Sequence, residues 1–178
     1  YEFEPKNPHP PYVPEDWNPV GSYRHTFYLP ENWRERQVFI HFGAVKSAMY
    51  LWINGKKVGY SQDSKTPAEF DITPYIRKGM NTLALEVYRF SDGSYLECQD
   101  FWRLSGIERD VYLYSTPKVR IRDFFFRPNL DEDCINASPA IDVELKNHTS
   151  KKGVYFLQAK LYDDNNVVWM QEKEVKMS

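Results

Sequence analysis

Apolar side chains recur at every second position in several short runs: Tyr23, Phe27 and Leu29; Val38, Ile40 and Phe42; Leu83, Leu85 and Val87; Val111 and Leu113. A period of two sends alternate side chains to opposite faces of an extended chain, so each run predicts a half-buried β-strand. The run Met49-Tyr50-Leu51-Trp52-Ile53 meets Asn54-Gly55 and continues as Lys56-Lys57-Val58-Gly59-Tyr60. Asn-Gly supports the positive φ angles of a type I′ turn, which predicts a β-hairpin, and its periodicity puts Trp52 among the expected core residues. No window of a dozen residues sustains a 3.6-residue period. Residues 73–79, Thr-Pro-Tyr-Ile-Arg-Lys-Gly, offer at most one helical turn closed by glycine.

Ahead of the first run, Pro5, Pro8, Pro10, Pro11, Pro14 and Pro19 fix φ and remove backbone donors. This stretch is expected to be an extended strap on a domain surface. Many short strands joined by Pro and Gly turns predict an all-β sandwich or jelly roll. The pattern pauses near Ser115-Thr116-Pro117, and a second strand set follows: residues 119–126, 141–145, 155–162 and 167–169. A boundary there gives domains of residues 1–117 and 118–178. An immunoglobulin-like sandwich needs about 100 residues and about seven strands, so the second domain is expected to be truncated, with an edge open to another chain.

Composition narrows the function classes. With 178 residues, 42% hydrophobic and 16% aromatic, the chain can bury one complete core and part of another. Its 23 Lys and Arg are interleaved with 25 Asp and Glu for a net charge of -2, which provides no basic field for nucleic acid. No run approaches the roughly 20 apolar residues of a membrane span. The first residues, Tyr1-Glu2-Phe3-Glu4-Pro5, are neither an initiator Met nor a signal peptide, and the chain is expected to have been trimmed at both ends. Cys98 and Cys134 have no CxxC spacing and suggest neither a disulfide framework nor a zinc site. The compartment stays open, cytoplasmic or periplasmic in a bacterium.

The common catalytic signatures, GxSxG, GxxxxGK[ST] and GxGxxG, do not occur, and His9, His25, His41 and His148 lack zincin spacing. A glycosidase needs two carboxylates about 5 to 10 Å apart, and the acids here suggest no such pair. One loop, residues 90–107, concentrates acids, aromatics and an Arg: Phe90, Asp92, Tyr95, Glu97, Asp100, Phe101, Trp102 and Arg103. Carboxylates accept hydrogen bonds from sugar hydroxyls and aromatic faces cover C–H surfaces, so the loop suits a saccharide rim. The plain alternative has Trp102 in the core, Arg103 paired with an acid such as Glu97, and Asp92-Gly93 making only a turn.

At this loop the chain resembles the N-terminal region of glycoside hydrolase family 2 β-galactosidases. The matching strings are residues 18–23 (Asn-Pro-Val-Gly-Ser-Tyr), 51–64 (Leu-Trp-Ile-Asn-Gly-Lys-Lys-Val-Gly-Tyr-Ser-Gln-Asp-Ser), 67–72 (Pro-Ala-Glu-Phe-Asp-Ile), 91–97 (Ser-Asp-Gly-Ser-Tyr-Leu-Glu) and 100–107 (Asp-Phe-Trp-Arg-Leu-Ser-Gly-Ile). They run through nearly the whole first domain, and residues 91–97 favour β-galactosidases over the family's glucuronidases and mannosidases. The resemblance implies a jelly-roll, galactose-binding-like β-sandwich followed by a partial immunoglobulin-like β-sandwich. A TIM barrel carrying both catalytic glutamates would belong to the parent enzyme. It also implies that Asp100 reaches that active site, contacts the galactosyl group and ligates sodium, with Trp102 beside it. Magnesium and the remaining sodium ligands would lie in the barrel. Lys46, in Val45-Lys46-Ser47-Ala48, stands where the family string Val-Asn-Ser-Ala has a sugar-contacting Asn. Lysine donates but cannot accept.

The expected function is a non-catalytic sugar-binding and scaffolding portion of a homo-oligomeric β-galactosidase, whose partners are a β-galactoside and the parent's other domains. An independent carbohydrate-binding module and a purely structural or oligomerisation domain are the alternatives.

Overall fold

The computed structural model describes residues 10–14, 17–97 and 104–177. Thirteen strands follow one another: β1 Val20–Tyr28, β2 Gln37–Phe42, β3 Val45–Lys46, β4 Ala48–Ile53, β5 Lys56–Gln62, β6 Ala68–Asp71, β7 Met80–Tyr88, β8 Gly106–Ile107, β9 Val111–Thr116, β10 Val119–Arg127, β11 Ala140–Asn147, β12 Gly153–Asp163 and β13 Asn166–Met177. A 3-10 turn at Glu31–Trp33 and one helical turn, α1 at Ser94–Glu97, complete the described elements. The chain divides into two compact units, Tyr1–Thr116 and Pro117–Ser178.

The first unit is a β-sandwich. One sheet has the antiparallel order β1-β7-β4-β5, the other β6-β2-β9, with the short pair β3-β8 beside them. Both sheets feed one core: Val38, Ile40 and Phe42 from β2, Val45 from β3, Met49, Leu51 and Ile53 from β4, Leu83, Leu85 and Val87 from β7, and Ile72. The two-residue period explains why these positions share a face.

Asn54 and Gly55 have φ of 51° and 79°, so the hairpin between β4 and β5 turns where Asn-Gly predicts. Its register slips between Leu51 and Trp52, where a bulge leaves Gly59 opposite Leu51. A Cβ on Gly59 would stand 2.5 Å from Phe70 Cε1, so glycine lets the Phe70 ring lie against the backbone. Trp52 departs from expectation. Met49, Leu51 and Ile53 are buried, while Trp52 is only half-buried and shares the opposite face with Tyr50, their rings 6.0 Å apart. Alternation along β4 allows one phase in the core, and the smaller aliphatic set occupies it.

Two amides, the buried Asn81 and the half-buried Asn54, brace the end of the sandwich nearest that hairpin. Asn81 accepts from the Arg77 N–H (2.8 Å) and from Asn54 Nδ2 (2.8 Å), and it donates to the carbonyls of Arg77 (3.0 Å) and Gly79 (3.1 Å). Asn54 accepts from the Thr82 N–H at 3.0 Å. Asn81 is fully buried, and these bonds satisfy it. Residues 73–79 therefore form a braced turn, with Gly79 at φ 84°.

The second unit holds two antiparallel ribbons, β10 with β11 and β12 with β13. Phe124, Phe125, Phe156, Val168 and Met170 are exposed on them.

Leu51→Ala is expected to cost about 2–5 kcal/mol, because Leu51 is fully buried and leaves a cavity. Trp52→Ala should cost less. Urea unfolding of both variants checks the ranking, and equal losses would put Trp52 back in the core.

Candidate functional site

Loop 90–107 begins on β7 and ends on β8, and the fold brings both ends to β3. Lys46 pairs with Gly106 and Val45 with Ile107. Beside them, the buried Ser47 donates its N–H to the Tyr88 carbonyl (3.0 Å) and its hydroxyl to Ser91 Oγ (2.9 Å). Ser94 Oγ accepts from the Ser91 N–H at 3.0 Å and lies 3.4 Å from Ser47 Oγ. These three hydroxyls join β3 to the start of the loop. The peptide bond between Lys46 and Ser47 is cis.

Asp92-Gly93 makes a turn that opens α1, with the Leu96 and Glu97 N–H groups on the Gly93 carbonyl at 2.9 and 3.0 Å. Glu97 then reaches across to the buried Ser64: one carboxylate oxygen accepts from the Ser64 N–H (3.1 Å) and the other from its hydroxyl. Two bonds to one carboxylate clamp the turn against the segment after β5. At the far end, Lys65 pairs with Glu108.

The proline-rich strap supports the same loop. Asn18 donates from Nδ2 to the Phe90 carbonyl and accepts the Phe90 N–H, both at 3.0 Å, and the Arg89 N–H donates to the Pro19 carbonyl at 3.0 Å. Trp17 lies 5.5 Å from the Phe90 ring, and Tyr95 Oη donates to the Tyr12 carbonyl at 2.8 Å. The strap expected from its prolines is therefore also a buttress.

A cleft of about 260 Å³ opens where the loop leaves β7, lined by Val13, Ala48, Tyr50, Tyr60, Tyr88, Phe90, Ser91 and Asp92. Tyr50 centres an aromatic cluster, 4.8 Å from Tyr60 and 5.8 Å from Tyr88, with Lys57 Nζ 4.0 Å above its ring. Among the described lining residues Asp92 is the one carboxylate. Apolar ring faces beside a carboxylate and a hydroxyl can hold a pyranose by its C–H surface and its hydroxyls. Burial pushes the Tyr60 hydroxyl above its ordinary 10.0, and the negative charges of Asp92 and ionised Tyr50 push it further. Tyr88 is raised by burial first and then by Glu86.

Of the residues singled out in the sequence, Lys46 is placed on β3 at the mouth of the loop, half-buried. Asp100 and Trp102 lie outside the described residues, as does Arg103. Glu97, offered as an Arg103 partner, bonds Ser64. The aromatic cleft was not anticipated. Its signal was the opposite phase of β4, where Tyr50 and Trp52 alternate with Met49, Leu51 and Ile53.

Residues 5–117 match the family described as glycosyl hydrolases family 2, sugar binding domain. The chain belongs to that family. Among its curated relatives, a β-galactosidase of Priestia megaterium is 54% identical over 139 residues, 78% of this chain and 13% of that protein. A β-galactosidase of Halalkalibacterium halodurans is 48% identical over 159 residues, 89% of this chain and 16% of that one. The family 2 chain thus spans only a small part of the relatives it matches. A solved structure of a Bacteroides uniformis β-glucuronidase is similar to it with a TM-score of 0.80 and 27% identity, over 90% of this chain and 20% of that one. The relatives named β-galactosidase are the more similar in sequence, in keeping with the string at residues 91–97.

Three measurements check this geometry. Asp92→Asn should lower the Tyr60 pKa without returning it to 10.0, because burial is the larger cause; ultraviolet titration against a Tyr60→Phe control reads it. A phenol whose folded pKa is raised adds stability present in full below about pH 10 and lost as pH climbs through the raised value, so alkaline unfolding should begin later in Tyr60→Phe. Separately, Glu97→Ala leaves the buried Ser64 N–H and hydroxyl unpaired and should cost about 1–3 kcal/mol, read by thermal unfolding.

Proposed function

We propose that the whole protein is a β-galactosidase, and that this chain is its non-catalytic sugar-binding and scaffolding portion, carrying loop 90–107 to the rim of an active site completed by other domains. The anchorage of that loop carries the reading. Its start is tied to Ser47, Ser64 and Asn18, and its end pairs with β3. Anchors on both flanks shorten the span that has to be ordered when substrate binds, which supports a place at the rim. Asp100 sits within that excursion, and its carboxylate would accept from galactosyl hydroxyls. Lys46, at the mouth, would donate to the same sugar.

The relatives' names supply the substrate class, a terminal β-D-galactoside. The sodium that the resemblance assigns to Asp100, and the magnesium, would need ligands beyond this chain's described residues. Hydrolysis needs two carboxylates across the scissile bond, and the described cleft offers Asp92 alone.

The aromatic cleft around Tyr50, Tyr60 and Tyr88 favours a second reading, a module that binds sugar without the rest of the enzyme. Titrating the 178-residue chain with galactose and lactose separates the two: saturable amide shifts at Tyr60 and Asp92 support the module, and silence to high millimolar sugar supports the rim.

Asp100→Asn in the whole enzyme should lower kcat/KM for an aryl β-galactoside by about tenfold or more, roughly 1.4 kcal/mol of transition-state stabilisation, with an unchanged melting temperature. Unchanged kinetics would remove Asp100 from the site.

A further inference from the structure

The first unit has a second and larger cleft, of about 500 Å³, between the segment that follows β1 and the turn that precedes β7. It lies at the opposite end of the sheet from the sugar cleft. Residues 77–79 lead into the first residue of β7, whereas Phe90 and Ser91 follow its last. Eight residue steps at about 3.3 Å separate the ends of that strand by about 26 Å. The cleft belongs to neither the loop nor the aromatic cluster described above.

Its lining combines two kinds of surface. Leu29, Trp33 and Ile76 pack partly buried against the core and give an apolar floor. Four cations, Arg34, Arg36, Arg77 and Lys78, accompany one carboxylate, Glu31. Glu31 is engaged by Arg34 at 2.6 Å, so that pair cancels. Arg36 is held by Ser115, through Oγ at 2.8 Å and the carbonyl at 3.1 Å. Arg77 commits only Nε, to the Met80 carbonyl at 3.0 Å, which leaves its terminal N–H groups to point at a ligand. The result is a local excess of positive charge beside an indole and two aliphatic side chains.

The cationic lip is also preorganised. Asn81 holds the Arg77 N–H and the Arg77 and Gly79 carbonyls, so the turn bearing Arg77 and Lys78 needs little ordering when something binds. A concave volume within the range of small-molecule pockets, an apolar floor and a few placed donors are what a small ligand uses. A protein partner would not need that depth.

We propose that this cleft binds a small organic anion with a flat apolar body, such as an aryl carboxylate or aryl phosphate. The ring lies on Trp33, Leu29 and Ile76, and the anionic group meets Arg77 and Lys78. Guanidinium donors pair with either anion through two parallel bonds.

The test is an amide and indole NMR titration of the 178-residue chain with 2-naphthoate, with the neutral 2-naphthylmethanol as its uncharged counterpart. Saturable shifts of the Trp33 indole N–H and of the Lys78 and Gly79 amides are expected with naphthoate, at least tenfold weaker with the alcohol. Lys78→Glu, an exposed change that leaves the core intact, should weaken naphthoate at least tenfold, and Arg77→Gln should act in the same direction. Equal binding of acid and alcohol, or binding indifferent to both substitutions, would overturn the proposal. So would silence at Trp33, or an acidic peptide saturating the cleft where naphthoate does not. Galactose leaves these signals unmoved whether or not the sugar-rim reading holds, so the two readings fail independently.

Discussion

Packing of β2 against β4 and β7 is the contact on which the first unit depends. Val38, Ile40 and Phe42 meet Met49, Leu51 and Ile53 and the Leu83, Leu85 and Val87 row. Within each strand these side chains share one phase, so a slip of one residue would exchange them for the opposite-phase set, Tyr50 and Trp52 on β4 and Thr82, Ala84 and Glu86 on β7. The hairpin at Asn54-Gly55 sets the phase of β4 relative to β5, and the antiparallel register with β7 sets it relative to the rest of the sheet. Once the phase is chosen, Tyr50, Trp52, Tyr60 and Tyr88 have only the outer face left.

Both clefts inherit their rigidity from that core while being made of what it excludes. The end that carries loop 90–107 is tied down by small hydroxyls and a carboxylate clamp, with Ser47, Ser91, Ser94 and Ser64 converging on one turn. The other end is tied down by amides, Asn54 and Asn81, which satisfy a turn with few other partners. In each case short polar side chains, buried or half-buried and hydrogen-bonded, brace the turn that carries longer side chains at the surface.

How much of this was legible follows from the range of the forces involved. Strand periodicity and Asn-Gly are local, and the hairpin and the all-β class could be read directly from them. The described part of the strap, residues 10–14 and 17–19, carries neither strand nor helix, as proline's action on its own backbone predicts. The clamp of Glu97 on Ser64 was not, since it joins residues 33 apart in sequence through a contact that only the sandwich creates. Trp52 was misjudged for a related reason: alternation defines two phases along β4 but not which of them faces the core, and that choice is made by the distant β2 and β7. Loop 90–107 stood out by composition, and its doubled anchorage became visible only when β3 was seen to pair with β8. The cationic cleft gave no motif at all, because its residues come from two separate turns.

Gly59 and Phe70 show what such packing asks of sequence change. The ring already occupies the space a side chain at position 59 would need. Neither residue can therefore drift alone. A larger residue at 59 requires a smaller one at 70 in the same step, and a smaller residue at 70 leaves a void that 59 can fill only by gaining a side chain. Two positions eleven residues apart are thus expected to behave as a single unit of inheritance, substituting together or not at all.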